Sequence, residues 1–286
     1  MTYETPKALR TALEQRLLTR SQATGISLDR LRRRVLFERI VARLQAAEPG
    51  LWVIKGGMAL EVRLRDDARL TKDLDLGLRA EVRDGAQLED RLIEALTVDP
   101  DRDRFLISVR SVERLTEDDT GRATWRAHVA STLADKPFGG LQIDVSPRTH
   151  ELEATDLVPL PNSLDFAGIA TPVVEVIDLQ RHVAEKFHGM LKVFEDRINS
   201  RVRDLVDLVI LSEHGLIDTE AAATAVRTVW AERDDALHDV LPALPTSWHD
   251  RYERLAADQA LEAATFAKAV AVVTALWTQM FPEKET

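Results

Sequence analysis

The stretch Leu51-Trp52-Val53-Ile54-Lys55-Gly56-Gly57, followed by Thr71-Lys72-Asp73-Leu74-Asp75-Leu76-Gly77-Leu78, decides how the chain is read. An apolar run of strand length, 51–54, ends in a lysine and two glycines. Glycine has no Cβ, so the backbone there can turn tightly and come close to a ligand. A helix starting at 58 would aim its free N–H groups and its positive end at an anion. In the second run the apolar residues alternate with two aspartates. A strand over 73–79 therefore projects Asp73 and Asp75 from one face, while Leu74 and Leu76 point into a core. Two adjacent carboxylates repel unless a cation lies between them, and oxygen ligands with room for phosphate oxygens suit Mg²⁺ or Mn²⁺.

A third carboxylate follows the same logic. Leu141-Gln142-Ile143-Asp144-Val145-Ser146 alternates, with Asp144 on the face opposite Leu141, Ile143 and Val145. Were this strand to lie beside the first, Asp73, Asp75 and Asp144 would share an open face. Three such ligands can hold two divalent ions about 4 Å apart, one at the attacking oxygen and one at the leaving oxygen. The glycine dipeptide is not a Walker A loop, because its lysine precedes the glycines and no Gly-Lys-Ser/Thr ending is present.

Outward from this centre the chain reads as helical, then mixed, then helical. Helical periodicity covers 6–20 and 27–47, a helix follows the glycines over 58–65, and another spans 86–97. Extended segments are expected at 104–114, 122–133 and 140–146, with hairpin turns at 117–121 and 135–140. Residues 147–175, richer in Pro, Ser and Asn, read as a connection with one short strand. From 176 the pattern is helical again, interrupted by Pro242 and Pro245. A mixed sheet flanked by helices and followed by a helical bundle is the expected architecture, with 1–170 and 171–286 as its two parts.

Composition limits the alternatives. With 286 residues, 45% hydrophobic and 30% charged, the chain has the make-up of a soluble globular protein. It lacks a transmembrane run and the pattern of a secretory leader, and a cytoplasmic location is expected. Without cysteine, disulfides, thiolate zinc sites and cysteine nucleophiles are excluded. The net charge of −10 is unevenly spread, since residues 1–40 carry nine Lys/Arg against four Asp/Glu. Arg30, Arg32, Arg33, Arg34 and Arg39 form either an RNA-facing helix surface or a solvated face paired with the acidic C-terminal part.

Two later helices carry charge where a core would be apolar. Asp178, Arg181, His182, Glu185 and Lys186 form one polar stripe. In 199–212 only Arg203, Asp204 and Asp207 interrupt a nearly all-apolar surface. Such charges must pair with one another or face a cleft. They pair structurally with Arg197, Arg201 or Lys186, or else Lys186 contacts a triphosphate while Asp204 or Asp207 orients it.

Taken in order, Lys55-Gly56-Gly57, Thr71-Lys72-Asp73-Leu74-Asp75-Leu76, Glu185-Lys186-Phe187-His188 and Arg203-Asp204-Leu205-Val206-Asp207-Leu208 resemble the nucleotidyltransferase-like type IV toxins of the AbiE and mycobacterial MenT kinds. These belong to the DNA polymerase β-like nucleotidyltransferase superfamily. The resemblance implies a two-lobed α+β enzyme, its C-terminal helical domain completing the active-site cleft. It also implies transfer of a nucleotide from an NTP to RNA, with tRNA 3′ ends the target class of relatives, and a cognate antitoxin. By position, Lys55, Gly56, Gly57 and Lys186 would contact phosphates, Asp73 and Asp75 would bind metal, and Asp207 would support the site. One departure is Met58, where the family usually has Ser or Thr. Thr71 is then the nearest hydroxyl, open to a phosphorylation that would block the site. Transfer to a small molecule or a protein hydroxyl would use the same carboxylates. An inactive RNA- or partner-binding module would need no nucleotide, and a phosphatase using Asp73 as nucleophile would want its apolar run before the aspartates rather than after them.

Overall fold

The computed structural model describes residues 3–282 apart from 70, 72, 116–122 and 196, and apart from the side chain of residue 66. The expected turn at 117–121 lies outside the described residues. The chain divides into two compact units, Met1–Arg65 with Leu70–Ile177, and Asp66–Arg69 with Asp178–Thr286.

The first unit opens with two helices, α1 (Pro6–Thr24) and α2 (Leu28–Ala47). Thr5 and Ser27 cap them by accepting from backbone N–H groups three residues on. Then follow β1 (Trp52–Lys55), α3 (Gly56–Leu64), β2 (Asp73–Leu78) and α4 (Gly85–Thr97). The remaining strands are β3 (Phe105–Arg114), β4 (Trp125–Leu133), β5 (Lys136–Ser146), β6 (Thr155–Pro159) and β7 (Val173–Ile177). They build one mixed seven-stranded sheet in the order β3-β4-β5-β2-β1-β7-β6. Leu74, Leu76, Ile143, Val145 and Ala127 alternate into a core shared with Leu36, Ile40 and Leu44 of α2 and Leu88 and Leu92 of α4.

Several boundaries differ from the sequence reading, each for a physical reason. The helix after β1 starts at Gly56, two residues earlier than expected, because Gly56 takes a φ of +58° and turns the strand straight into it. The β4–β5 turn is the dipeptide Ala134–Asp135, both residues left-handed, with Leu133 and Lys136 paired across it. Gly139 and Gly140, read as turn residues, lie inside β5, where the register slips by one residue against β4. The 147–175 connection holds β6 and most of β7, two strands rather than one, and β7 extends to Ile177 where helix was expected.

Four arginines of α2 have carboxylate partners within their own unit. Arg32 bonds Glu14 at 2.7 Å, Arg33 pairs with Asp29, Arg34 with Glu61, and Arg39 with Asp101 at 3.0 Å. Arg39 is fully buried. Each of these four charges meets a carboxylate.

The second unit contains α5 (Leu179–Leu191), α6 (Val202–Glu213), α7 (Thr219–Glu232), α8 (His249–Asp258) and α9 (Phe266–Met280). Phe187, Trp230, Trp277 and Phe281 pack ring against ring at its centre, with centroids 4.9–5.8 Å apart. Among the described residues, no helix is long and apolar enough to cross a membrane.

Candidate active site

Sheet register assembles the first group of charges. Lys55 on β1 lies opposite Asp75 on β2, Asp75 lies beside Asp144 on β5, and Asp144 lies opposite Arg126 on β4. Directly paired residues share a sheet face. Four consecutive strands therefore carry the row Lys55, Asp75, Asp144, Arg126, with Asp73 one pleat away beside Gln142. The two outer cations flank three carboxylates.

Gly56 fits this row by lacking a side chain. A Cβ built there would lie 1.9 Å from Asp75 Oδ2. The Asp75 carboxylate thus rests against the backbone at the start of α3, where the first N–H groups have no helical partner. Gly57 is buried in the first turn of that helix. Met58 is only 4% exposed and points into the sheet core, so it presents nothing polar to a phosphate. Thr71 Oγ1 donates to the Asp73 carbonyl at 3.3 Å.

Two partners in this row were not expected from the sequence. Lys55 Nζ donates to Glu151 Oε2 at 2.7 Å, both side chains being largely buried. Glu151 sits in a short 3₁₀ turn, Thr149–Leu152, inside the stretch read as connection. Arg126 Nε and Nη2 donate to Asp144 Oδ1 and Oδ2 at 2.8 and 2.7 Å, a bidentate pair. The alternation of β4 could have exposed Arg126, since it stands on the open face between Trp125 and Ala127.

Among the described residues, no group of three or more His, Cys, Asp or Glu side chains is arranged to hold a metal ion. The carboxylate pair Asp73 and Asp75 still suits a hard divalent cation, because Mg²⁺ usually takes one or two protein carboxylates and completes its shell with water and phosphate oxygens. Asp144 does not join that pair freely, since both of its oxygens are held by Arg126.

The second group of charges lies in the helical unit. Lys186 on α5 donates to Asp204 Oδ1 at 2.8 Å and lies 2.8 Å from Asp207 Oδ2, both on α6. Arg69 clasps the other side of Asp207 through Nε at 2.6 Å and Nη2 at 2.9 Å. Burial pushes the Asp207 carboxyl up, but Lys186 and Arg69 outweigh it and hold it below the usual carboxylate range. Burial opposes charge on Lys186 as well, and Asp204 and Asp207 outweigh that, keeping the ammonium above the usual lysine range. Gly189 makes room for this cluster, because a Cβ there would lie 2.9 Å from Asp204 Oδ2. The expected pairing of the α6 carboxylates with Lys186 is present, and Arg69 is the member that the sequence did not single out.

With this geometry in place, comparison with known proteins assigns the chain. The profile of the family described as "Nucleotidyl transferase AbiEii toxin, Type IV TA system" matches residues 39–283. The chain belongs to the AbiEii family of nucleotidyltransferase toxins. Among solved structures it is similar to MenT4, a nucleotidyltransferase toxin from Mycobacterium tuberculosis, at 18% identity and a TM-score of 0.50. That match covers 95% of this chain and 86% of MenT4. It is also similar to JHP933 from Helicobacter pylori, at 20% identity and a TM-score of 0.46, covering 89% and 96% of the two chains. Comparison with curated protein sequences finds no match. The mixed sheet flanked by helices is thus the fold of AbiEii-type nucleotidyltransferases, as expected from the four motifs.

Proposed function

We propose that this AbiEii-family protein transfers a nucleotide from a nucleoside triphosphate to the 3′-hydroxyl of an RNA, a tRNA by preference, and releases pyrophosphate. The observation that carries this reading is the row of charges across β1, β2, β5 and β4, set at the glycine-led start of α3. The hydroxyl oxygen forms a bond to the α-phosphorus as the bond from that phosphorus to the bridging oxygen breaks. Pyrophosphate leaves with the bonding electrons, and the hydroxyl proton passes to Asp144. Mg²⁺ or Mn²⁺, held by Asp73 and Asp75, would supply positive charge to the phosphates.

The chain's own groups do the rest. The start of α3 offers backbone N–H donors, so phosphate binding survives the replacement of the family hydroxyl by Met58. Lys55 draws phosphate charge in competition with Glu151. Within the helical unit Asp204 and Asp207 hold Lys186 charged and in place. These are electrostatic and positioning effects, which dominate catalysis where charge shifts onto a leaving group. A second divalent ion at Asp144 finds less support, because Arg126 already occupies that carboxylate. Type IV toxin–antitoxin membership points to an antitoxin as the protein partner.

The test is labelling of total RNA with each of the four α-labelled triphosphates in Mg²⁺ or Mn²⁺. RNA from the reaction should carry label, tRNA most of all. Asp73→Ala and Asp75→Ala should each abolish it while leaving thermal unfolding unchanged. Label that appears in protein or small molecules instead, or wild-type labelling by either variant, would refute the assignment.

A further inference from the structure

At its β3–β4–β5 end the sheet of the first unit has two unlike faces. One is packed, with Ala127, Val129, Leu141, Ile143 and Val145 in the core beside residues of α2 and α4. The other carries Arg126, His128, Gln142 and Asp144, all of them half-buried. Side-chain exposure grows outward across this face, from 16% at Asp144 and 27% at Arg126 to 38% at His128 and 57% at Glu113. The carboxylate row therefore stands at the inner margin of an open shelf.

Register places a second row on the shelf. Asp73 on β2 lies beside Gln142 on β5, and Gln142 lies opposite His128 on β4. Directly paired residues share a face, so these three stand in line one pleat from Asp75, Asp144 and Arg126. Same-face neighbours along a strand are about 7 Å apart, and the line spans two strand spacings, about 10 Å. A single nucleoside laid beside Asp144 has a comparable footprint.

The two rows differ in charge. The first holds carboxylates and cations, whereas the second runs from a carboxylate to an amide and an imidazole. Carboxylates repel a phosphodiester, so the part of an acceptor that can come up to Asp144 is an end without phosphate. A terminal nucleoside with a free 3′-hydroxyl is such an end. Amide and imidazole groups hydrogen-bond ribose hydroxyls and base edges, and unstacked RNA bases stack on histidine rings. His128 is tied loosely in the fold, its Nε2 lying 3.4 Å from Oε1 of the exposed Glu113. A protein acceptor would bring no base for that ring.

We infer that His128 and Gln142 bind the terminal nucleoside of the RNA acceptor, the imidazole stacking on its base and the amide holding its ribose, so that the 3′-hydroxyl reaches Asp144. This deepens the proposed nucleotidyl transfer and rests on it for the identity of the reacting hydroxyl. Both residues bind substrate, and neither joins in bond making.

Fluorescence anisotropy of a short single-stranded RNA, labelled at its 5′ end, tests this on the full chain with Mn²⁺ and without triphosphate. The wild-type chain should bind that RNA, and His128→Ala and Gln142→Ala should each weaken binding about tenfold. Both variants should unfold at the wild-type temperature and, by isothermal titration, bind triphosphate with Mn²⁺ as tightly as wild type. In RNA labelling the KM for RNA should rise about tenfold in each, with the KM for triphosphate unchanged. A wild-type chain that binds no RNA overturns the inference. So does RNA binding that is unchanged in both variants, or a loss of triphosphate affinity equal to the loss for RNA. Weaker RNA binding in the variants, with no labelled RNA from wild type, would sink the transfer and keep the shelf. Labelled RNA with an unchanged KM for RNA in both variants would do the reverse.

Discussion

At position 56 two constraints meet in one residue. Its φ of +58° is costly for any residue with a side chain, and the space where a Cβ would stand is filled by the Asp75 carboxylate. Left-handed backbone at a non-glycine residue costs about 1–3 kcal/mol. The overlap with Asp75 must be relieved by moving that carboxylate, because the strand beneath it is fixed in register. Gly56→Ala should therefore lower the unfolding free energy by about 1–3 kcal/mol and cut RNA labelling at least tenfold. Denaturant titration alongside the labelling assay reads both, and full labelling by this variant would show that Asp75 need not lie where it does. The same contact marks how far the sequence could be read at this scale. The glycines and the aspartate pair stood out by spacing and by the rarity of aspartate in strands. Their touching did not, since only the antiparallel register of β1 on β2 brings position 56 to position 75. Glu151 was still less visible, being 96 residues from Lys55 in a stretch without periodicity.

Between elements, the α5–α6 pair shows how a buried charge cluster fastens two helices. Lys186 and Arg69 supply two positive charges and Asp204 and Asp207 two negative ones, all within hydrogen-bond reach. Removing one member of such a set leaves an uncompensated buried charge, a loss of about 3–5 kcal/mol. Asp207→Ala should therefore destabilise the chain by about that amount, seen as a lower denaturation midpoint. Asp207→Asn, which keeps an acceptor for Arg69, should cost less, and an Ala variant as stable as wild type would mean that the cluster contributes nothing. The helices themselves were legible, because a nearly all-apolar run with one charged stripe has few other solutions. Strand ends were less so. The β4–β5 turn was misplaced because glycines attract a turn assignment, whereas here the tight turn uses Ala134 and Asp135, and Gly139 and Gly140 pair with Ser131 and Ala130 inside the strand. Local preference lost to the pairing of whole strands. The arginines of α2 were ambiguous for a similar reason: their carboxylate partners come from α1, α3, the same helix and the segment before β3.

For the whole molecule, the response to pH turns on a buried acid that no function claims. Glu38 on α2 is 1% exposed and accepts from Ser163 N at 2.8 Å and Ser163 Oγ at 2.7 Å, tying the helix to a segment 125 residues further on. Burial raises its carboxyl from an ordinary 4.5 to about 7, against the Ser163 hydrogen bonds and the nearby Arg39 and Arg34 charges, which pull it down. The folded chain thus keeps this proton up to about pH 7, while the unfolded chain releases it near 4.5. Between those values the folded state binds more protons, so stability falls as pH rises. The contribution is complete below about pH 4.5 and gone above about pH 7, and the gap corresponds to about 3 kcal/mol. Glu38→Gln keeps an acceptor for Ser163 and removes the titration. Chemical denaturation at pH 5 and pH 8 should show wild type losing about 2–3 kcal/mol more than Glu38→Gln over that interval. Equal losses in the two proteins would place the Glu38 proton elsewhere in pH. The direction is unusual for a chain with a net charge of −10, whose paired carboxylates act the opposite way and lose stability in acid. Glu38 therefore acts between about pH 4.5 and pH 7, and its replacement should leave unchanged the acid loss at lower pH, where carboxylates such as Asp207 take up protons.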